Sequence, residues 1–156
     1  MKRRLALRRA WVQLPLAVAC LFVSTAAMAT LGKPEAQIAK VASGLNLKNA
    51  ETQTSHGYRV DVLSSHDLTV KEYVNPKTKL VFGVAWNGTR MPDLRLLLGF
   101  DPATLKGKGA YQPLHYSSIK TPTVTLEMGG RMGLYAGRVI RTDLLPAGVK
   151  PSEVAP

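Results

Sequence analysis

Three consecutive stretches of this chain alternate two kinds of side chain with a period of two, and they leave little choice of fold. Tyr58, Val60 and Val62 alternate with Arg59 and Asp61. Leu68, Val70, Glu72 and Val74 alternate with Thr69, Lys71 and Tyr73. Leu80, Phe82, Val84 and Trp86 alternate with Val81, Gly83 and Ala85. Such a period sends successive side chains to opposite faces of a strand. The separators, Ser64-Ser65-His66-Asp67 and Asn75-Pro76-Lys77-Thr78, are turn residues and too short for a crossover helix. The three strands therefore predict an antiparallel meander. The third run is apolar on both faces, bulky on one and small on the other, which places it centrally in the sheet.

The flanking segments are read the same way. Thr123 to Met128 and Arg131 to Ile140 predict a hairpin around Gly129-Gly130, a pair suited to a tight turn. Pro34-Glu35 starts a short helix with Ile38, Val41 and Ala42 on one side, ended by Gly44. Pro92-Asp93 opens another from Leu94 to Leu98, ended by Gly99, and Asp101-Pro102 restarts a helical turn that dies at Gly107 and Gly109. Asn46 to Gly57 is polar and turn-rich and is expected to be mobile. Tyr111 to Pro122 reads as a loop, and the chain from Leu145-Pro146 onward as a tail wrapping the surface. The expected fold class is α+β, an antiparallel sheet of about five strands (meander plus C-terminal hairpin) with one or two short helices. The expected divisions are a cleaved leader over 1–29, an N-terminal helix and polar linker over 30–57, a core domain over 58–149 and a tail over 150–156.

The leader is read from charge and hydropathy. Lys2, Arg3, Arg4, Arg8 and Arg9 precede an apolar run from Leu14 to Val23, and no acid occurs before Glu35. Small residues follow, with Ala27 and Ala29 at the −3 and −1 places of a signal-peptidase site. That order predicts export and cleavage near Ala29, to a periplasmic or secreted destination. The run is about half the length of a membrane-spanning helix, so no transmembrane segment is expected after cleavage. Ala17-Val18-Ala19-Cys20 loosely resembles a lipidation box, but Leu21-Phe22-Val23 is the reverse of the polar tether that follows a lipidated cysteine. Removing 1–29 takes away five basic residues and no acid, so the net charge falls from +11 to +6. It also removes the single cysteine, Cys20. The domain then has no disulfide, thiol nucleophile or cysteine–metal site, and its core alone must hold it.

Several strings resemble a family of small exported proteobacterial proteins catalogued as a domain of unknown function. They are Val70-Lys71-Glu72-Tyr73-Val74, Val81-Phe82-Gly83-Val84-Ala85-Trp86-Asn87-Gly88, Pro92-Asp93-Leu94-Arg95-Leu96-Leu97-Leu98-Gly99, Gly129-Gly130-Arg131-Met132, Ala136-Gly137-Arg138 and Leu144-Leu145-Pro146-Ala147-Gly148-Val149, together with Leu31-Gly32. The resemblance implies export and a shared compact fold, and it supplies no reaction. Between Gly99 and Pro122 this chain departs from it, with Asp101-Pro102 and a glycine-rich break where the family is expected to continue its helix.

Catalytic and metal motifs are weak. His56, His66 and His115 have no carboxylate at ligand spacing, and no metal or cofactor is expected. Serine, histidine and aspartate are all present, but no Gly-x-Ser-x-Gly elbow exists, and Ser64, Ser65, Ser117 and Ser118 lie in predicted turns or loops. Lys106-Gly107-Lys108-Gly109 lacks phosphate-loop spacing and reads as a flexible basic loop. Asn87-Gly88-Thr89 is read as the turn ending the third strand.

Two charges stand on apolar strand faces, Glu72 among Leu68, Val70 and Val74, and Arg138 among Met132, Leu134, Ala136 and Ile140. A desolvated charge needs a partner, so Glu72 and Arg138 are expected to pair and set strand register, with a ligand-lined cleft as the sharper alternative. On the other face Arg131, Tyr135 and Arg141 alternate with Gly133 and Gly137. With Arg138 they are the candidate binding residues for an anionic or sugar-like ligand. The function expected is a non-catalytic periplasmic or envelope-associated binding module with a basic surface. Its partners would be an anionic envelope polymer or another envelope protein. A small periplasmic hydrolase is the alternative. Nucleic acid is disfavoured by export and by the lack of a recognition motif.

Overall fold

The computed structural model describes residues 30–156, apart from 56, 110 and 113–115. The expected leader over 1–29, with Cys20, and His56 and His115 lie outside the described residues. The strands are β1 (Lys48–Ser55), β2 (Tyr58–Ser64), β3 (Leu68–Val74), β4 (Val81–Gly88), β5 (Ser117–Lys120), β6 (Val124–Arg131) and β7 (Leu134–Arg141). They form one antiparallel sheet in the order β1-β2-β3-β4-β7-β6-β5. The fold is thus mostly sheet with few helices, as expected, but it has seven strands rather than about five.

Both additional strands lie at sheet edges, where the signal for burial is weakest. In β1 all eight residues are exposed, so no apolar alternation exists to be read. Backbone pairing to β2 holds it, and Thr52 donates a hydrogen bond to its cross-strand partner Asp61 at 2.9 Å. Lys48, Glu51 and a register shift between Asn49 and Glu51 blunt this edge against further pairing. The four-residue β5 buries only Ser117 and Ile119. Its outer edge is covered by the Lys106–Gly109 segment, which exchanges two backbone hydrogen bonds between Lys108 and Lys120, at 3.0 and 2.9 Å. A Cβ at Gly109 would lie 1.6 Å from the Ser118 carbonyl oxygen. The basic loop is therefore an edge cover, and glycine is required for its backbone to approach.

The central strand expected from its two apolar faces is β4, buried from Val81 to Trp86. One detail differs. A bulge sets Tyr73 opposite Gly83 and Val74 opposite Val81, which turns Phe82 away from Val84 and Trp86 and onto the face of Tyr58, Tyr73 and Ala85. The final hairpin also differs. Its turn is Met132-Gly133, with Gly133 at φ 79°, and Gly129 and Gly130 lie inside β6. Trp86 sets this register. Gly137 is its cross-strand partner, and a Cβ there would come 2.4 Å from the indole Cζ2. Gly130 likewise makes room for the Tyr135 ring, which a Cβ would meet at 2.5 Å.

The two faces of the sheet are covered differently. Helices α1 (Ile38–Gly44) and α2 (Leu94–Leu98) pack on one, over Val70, Val84, Trp86, Leu126 and Val139. Ile38, Val41 and Ala42 are the buried side of α1, and Asp93 caps α2 by accepting from Arg95 N and Leu96 N. The other face is covered in part by the C-terminal tail. Val154 is fully buried against Gly83, and the Tyr73 hydroxyl donates to Ala155 O at 3.0 Å and accepts from Ala155 N at 3.1 Å. Tyr58, Tyr73 and Phe82 cluster beneath the tail with ring centroids 5.7–6.2 Å apart. We call these the helix face and the tail face.

Candidate functional site

Strand register decides which expected site residues can meet. Glu72 pairs across to Val84 and on to Val139, while Arg138 pairs to Ala85 and Lys71. Glu72 therefore sits on the helix face and Arg138 on the tail face, and the expected ion pair between them does not form. Arg138 instead forks onto its own cross-strand partner, Glu127, at 2.7 and 2.9 Å, and donates to Val154 O at 2.9 Å. It ties the hairpin to the tail. Period two assigned each residue a face correctly within its strand, but it carries no relation between the faces of different strands.

The expected strip of Arg131, Tyr135 and Arg141 is also divided. With the turn at Met132-Gly133, Arg131 belongs to β6 and lies opposite Leu134 on the tail face. Tyr135 lies on the helix face over Gly130. Arg141, about 20 Å further along β7 at ~3.3 Å per residue, is engaged by Asp143 at 2.7 and 2.9 Å. That bond lowers the pKa of Asp143 and raises that of Arg141.

Arg131 and Arg138 do share a surface. On the uncovered part of the tail face, two adjoining hollows of about 440 and 260 Å³ meet at Gly129 and Ala136. Tyr116 and Arg138 border one, Arg131 and Leu134 the other. The floor is flat because its central residues are glycine and alanine. The exposed large apolar side chains of the described residues gather around it: Tyr116 is 71% exposed, Met132 at the hairpin tip 96% and Leu134 52%. Along the same sheet edge lie the exposed cations Lys106, Lys108 and Lys120. Lys120 is about 13 Å from Tyr116 at strand spacing. The nearby acid, Glu127, is already held by Arg138. Tyr116, just before β5, carries no sequence signal of its own because Tyr111 to Pro122 reads as a loop.

Another hollow, of about 670 Å³, separates α1 from β1 and β2. Its charged groups satisfy one another. Arg59 bridges Glu35 at 2.7 Å and Asp61 at 2.7 Å, and Thr52 completes Asp61. The hydrogen bond to Asp61 raises the pKa of Arg59. This is a brace between the N-terminal turn and β2.

Beside that brace lies Glu72, directly opposite Asp61 in the β2–β3 ladder. It is fully buried, and neither carboxyl oxygen has a hydrogen-bond partner. Burial raises its pKa to about 8. The Thr30 hydroxyl facing it counteracts this, and the nearby Asp61 charge adds to it. Thr30, also fully buried, spends its one hydroxyl hydrogen on Leu97 O at 3.2 Å.

At His66, the described histidine, no nucleophile relay is assembled. Asp67 accepts directly from Ser65 Oγ at 2.5 Å and from Arg90 Nε at 2.6 Å, while the imidazole is 92% exposed and 3.7 Å from the same carboxylate. The Ser65 hydroxyl hydrogen bond lowers the pKa of Asp67, and the hydrogen bond and charge of Arg90 lower it further. Ser117 is occupied by Gln112 N and O. Among the described residues no three His, Cys, Asp or Glu side chains gather at metal-binding distance. No described helix is long and apolar enough to cross a membrane.

A single antiparallel sheet, helix-covered on one face and partly covered by its own tail on the other, with a cationic apolar corner, defines the class of domain. The chain belongs to the family described as protein of unknown function (DUF2844), whose model matches residues 27–154. No curated protein matches it. Among solved structures, a cysteine-rich secretory protein from Staphylococcus aureus subsp. aureus Mu50 is similar at 11% identity and a TM-score of 0.45. The match covers 74% of this chain and 44% of that one.

Proposed function

We propose that the protein is an exported, non-catalytic module of the cell envelope, and that its β5–β6–β7 corner seats on an anionic lipid surface. The observation that carries this reading is the gathering of Tyr116, Met132 and Leu134, all exposed, beside Arg131, with the exposed Lys106, Lys108 and Lys120 at the far end of β5, about 20 Å along the strands from the hairpin tip. Aliphatic tips enter the headgroup boundary, tyrosine rests within it, and each lysine or arginine near an anionic surface strengthens binding about fivefold. The net charge of +6 after leader removal steers approach in the same direction.

The test uses the chain from Thr30 to Pro156, which contains every described strand and helix, because the apolar leader would bind lipid by itself. Co-sedimentation with phosphatidylglycerol/phosphatidylcholine vesicles at moderate salt is expected to exceed that with phosphatidylcholine alone. The double substitution Met132→Asp/Leu134→Asp, at exposed positions, is expected to weaken it about tenfold or more. Binding that the double substitution leaves untouched, or equal binding to a soluble anionic polysaccharide, would replace the lipid with bare charge attraction.

A further inference from the structure

Glu72 has no use in that reading, yet among the described residues it is the carboxyl with both oxygens buried and without a hydrogen-bond partner. A carboxyl buried without any hydrogen-bond partner calls for a specific explanation. The charged groups around it offer none. From β2 come Asp61, of like charge, and Arg59, consumed by Asp61 and by Glu35 of the N-terminal turn. From β4 comes Val84. What faces it is Thr30, whose nitrogen and hydroxyl both donate to Leu97 O, at 3.4 and 3.2 Å.

Thr30 is also the residue after the expected export-cleavage site, Ala27-Met28-Ala29. We propose that cleavage after Ala29 creates the missing counter-ion, the α-ammonium of Thr30, which pairs with the Glu72 carboxylate inside the helix-face core. Hydrolysis of the Ala29–Thr30 bond consumes one water, leaving a carboxylate on Ala29 and an ammonium on Thr30. The nitrogen is three bonds from the hydroxyl that already faces Glu72. As an amide it has one hydrogen, committed to Leu97 O. As an ammonium it keeps that bond and gains two donors for the two empty carboxyl oxygens. A buried pair of this kind fixes geometry, because removing either charge strands the other. Processing would then complete the core and lock Thr30 and Leu31 under α2.

The proposal rests on the export reading, and its test keeps the two apart. The carboxyl carbon of Glu72 is titrated by NMR in two folded chains, one starting at Thr30 and one at Ala29, which moves the ammonium one residue away. The Ala29 chain is expected to titrate near 8, where burial places the carboxyl. The Thr30 chain is expected to stay ionised down to acid pH, a shift of several units. Identical titration in both chains overturns the pairing. Intact mass of the protein recovered from the envelope is expected to correspond to a start at Thr30. An unprocessed chain in the cytoplasm would sink the export reading itself, and a processed chain starting elsewhere would sink the pairing alone.

Discussion

In a chain that retains residues before Thr30, replacing Glu72 by Gln tests the physics of the buried acid directly. Burial raises its pKa from 4.5 to about 8, so the folded state binds this proton more tightly than the unfolded state does. Between those values the native chain holds the extra proton, and stability must fall as pH rises. The contribution is complete below about pH 4.5 and is lost as pH rises through about 8. One pKa unit corresponds to about 1.4 kcal/mol, so the full loss is about 5 kcal/mol and the loss at pH 7 about 3 kcal/mol. Asp67 and Asp143, whose pKa values are lowered from 3.8, act in the opposite sense, adding stability that is present above about pH 3.8 and lost as pH falls below it. They leave this window to Glu72. Urea unfolding at a series of pH values measures the difference between the parent and Glu72→Gln, in which any contribution from the histidines cancels. That difference is expected to move by about 3–4 kcal/mol against the parent between pH 5 and pH 8. A flat difference would refute the reasoning, and would mean that water or a cation reaches a carboxyl that the packing seals.

The other perturbations probe the register and the coverings. Gly137→Ala forces a Cβ to 2.4 Å from the Trp86 ring and 2.8 Å from Met128 Cβ. It should cost about 1–3 kcal/mol, seen as a melting temperature several degrees lower. Gly109→Ala, with its Cβ 1.6 Å from Ser118 O, is expected to lift the Lys106–Gly109 cover, accelerate amide exchange at Lys120 and promote aggregation through the bared β5 edge. Arg138→Met removes the fork to Glu127 and the bond to Val154 O and should cost about 1 kcal/mol. A double-mutant cycle with Glu127→Gln is expected to show coupling, and one with Glu72→Gln none.

The parts of the fold that sequence made legible are those whose residues face two different environments. β2 and β3 alternate because more exposed positions interleave with core ones, and β4 stands out as central because it is apolar and buried on both faces. Asp93 announces α2 because a capping carboxylate does the same work in any helix. β1 was invisible for the opposite reason. All eight of its side chains face solvent, and what holds it, the backbone ladder to β2, leaves no mark on side-chain type. The hairpin turn moved from Gly129-Gly130 to Met132-Gly133 because a glycine records only that something must come close. At Gly130 and Gly137 that something is an aromatic ring, not a reversal of the chain. The same limit divided the candidate site. Glu72 was legible as a charge on an apolar face. Its relation to Arg138 depended on how β3, β4 and β7 stack in register, which no single strand encodes. Its relation to Thr30 joins two signals, a leader boundary read from small residues and an acid read from alternation. Only the fold puts them side by side.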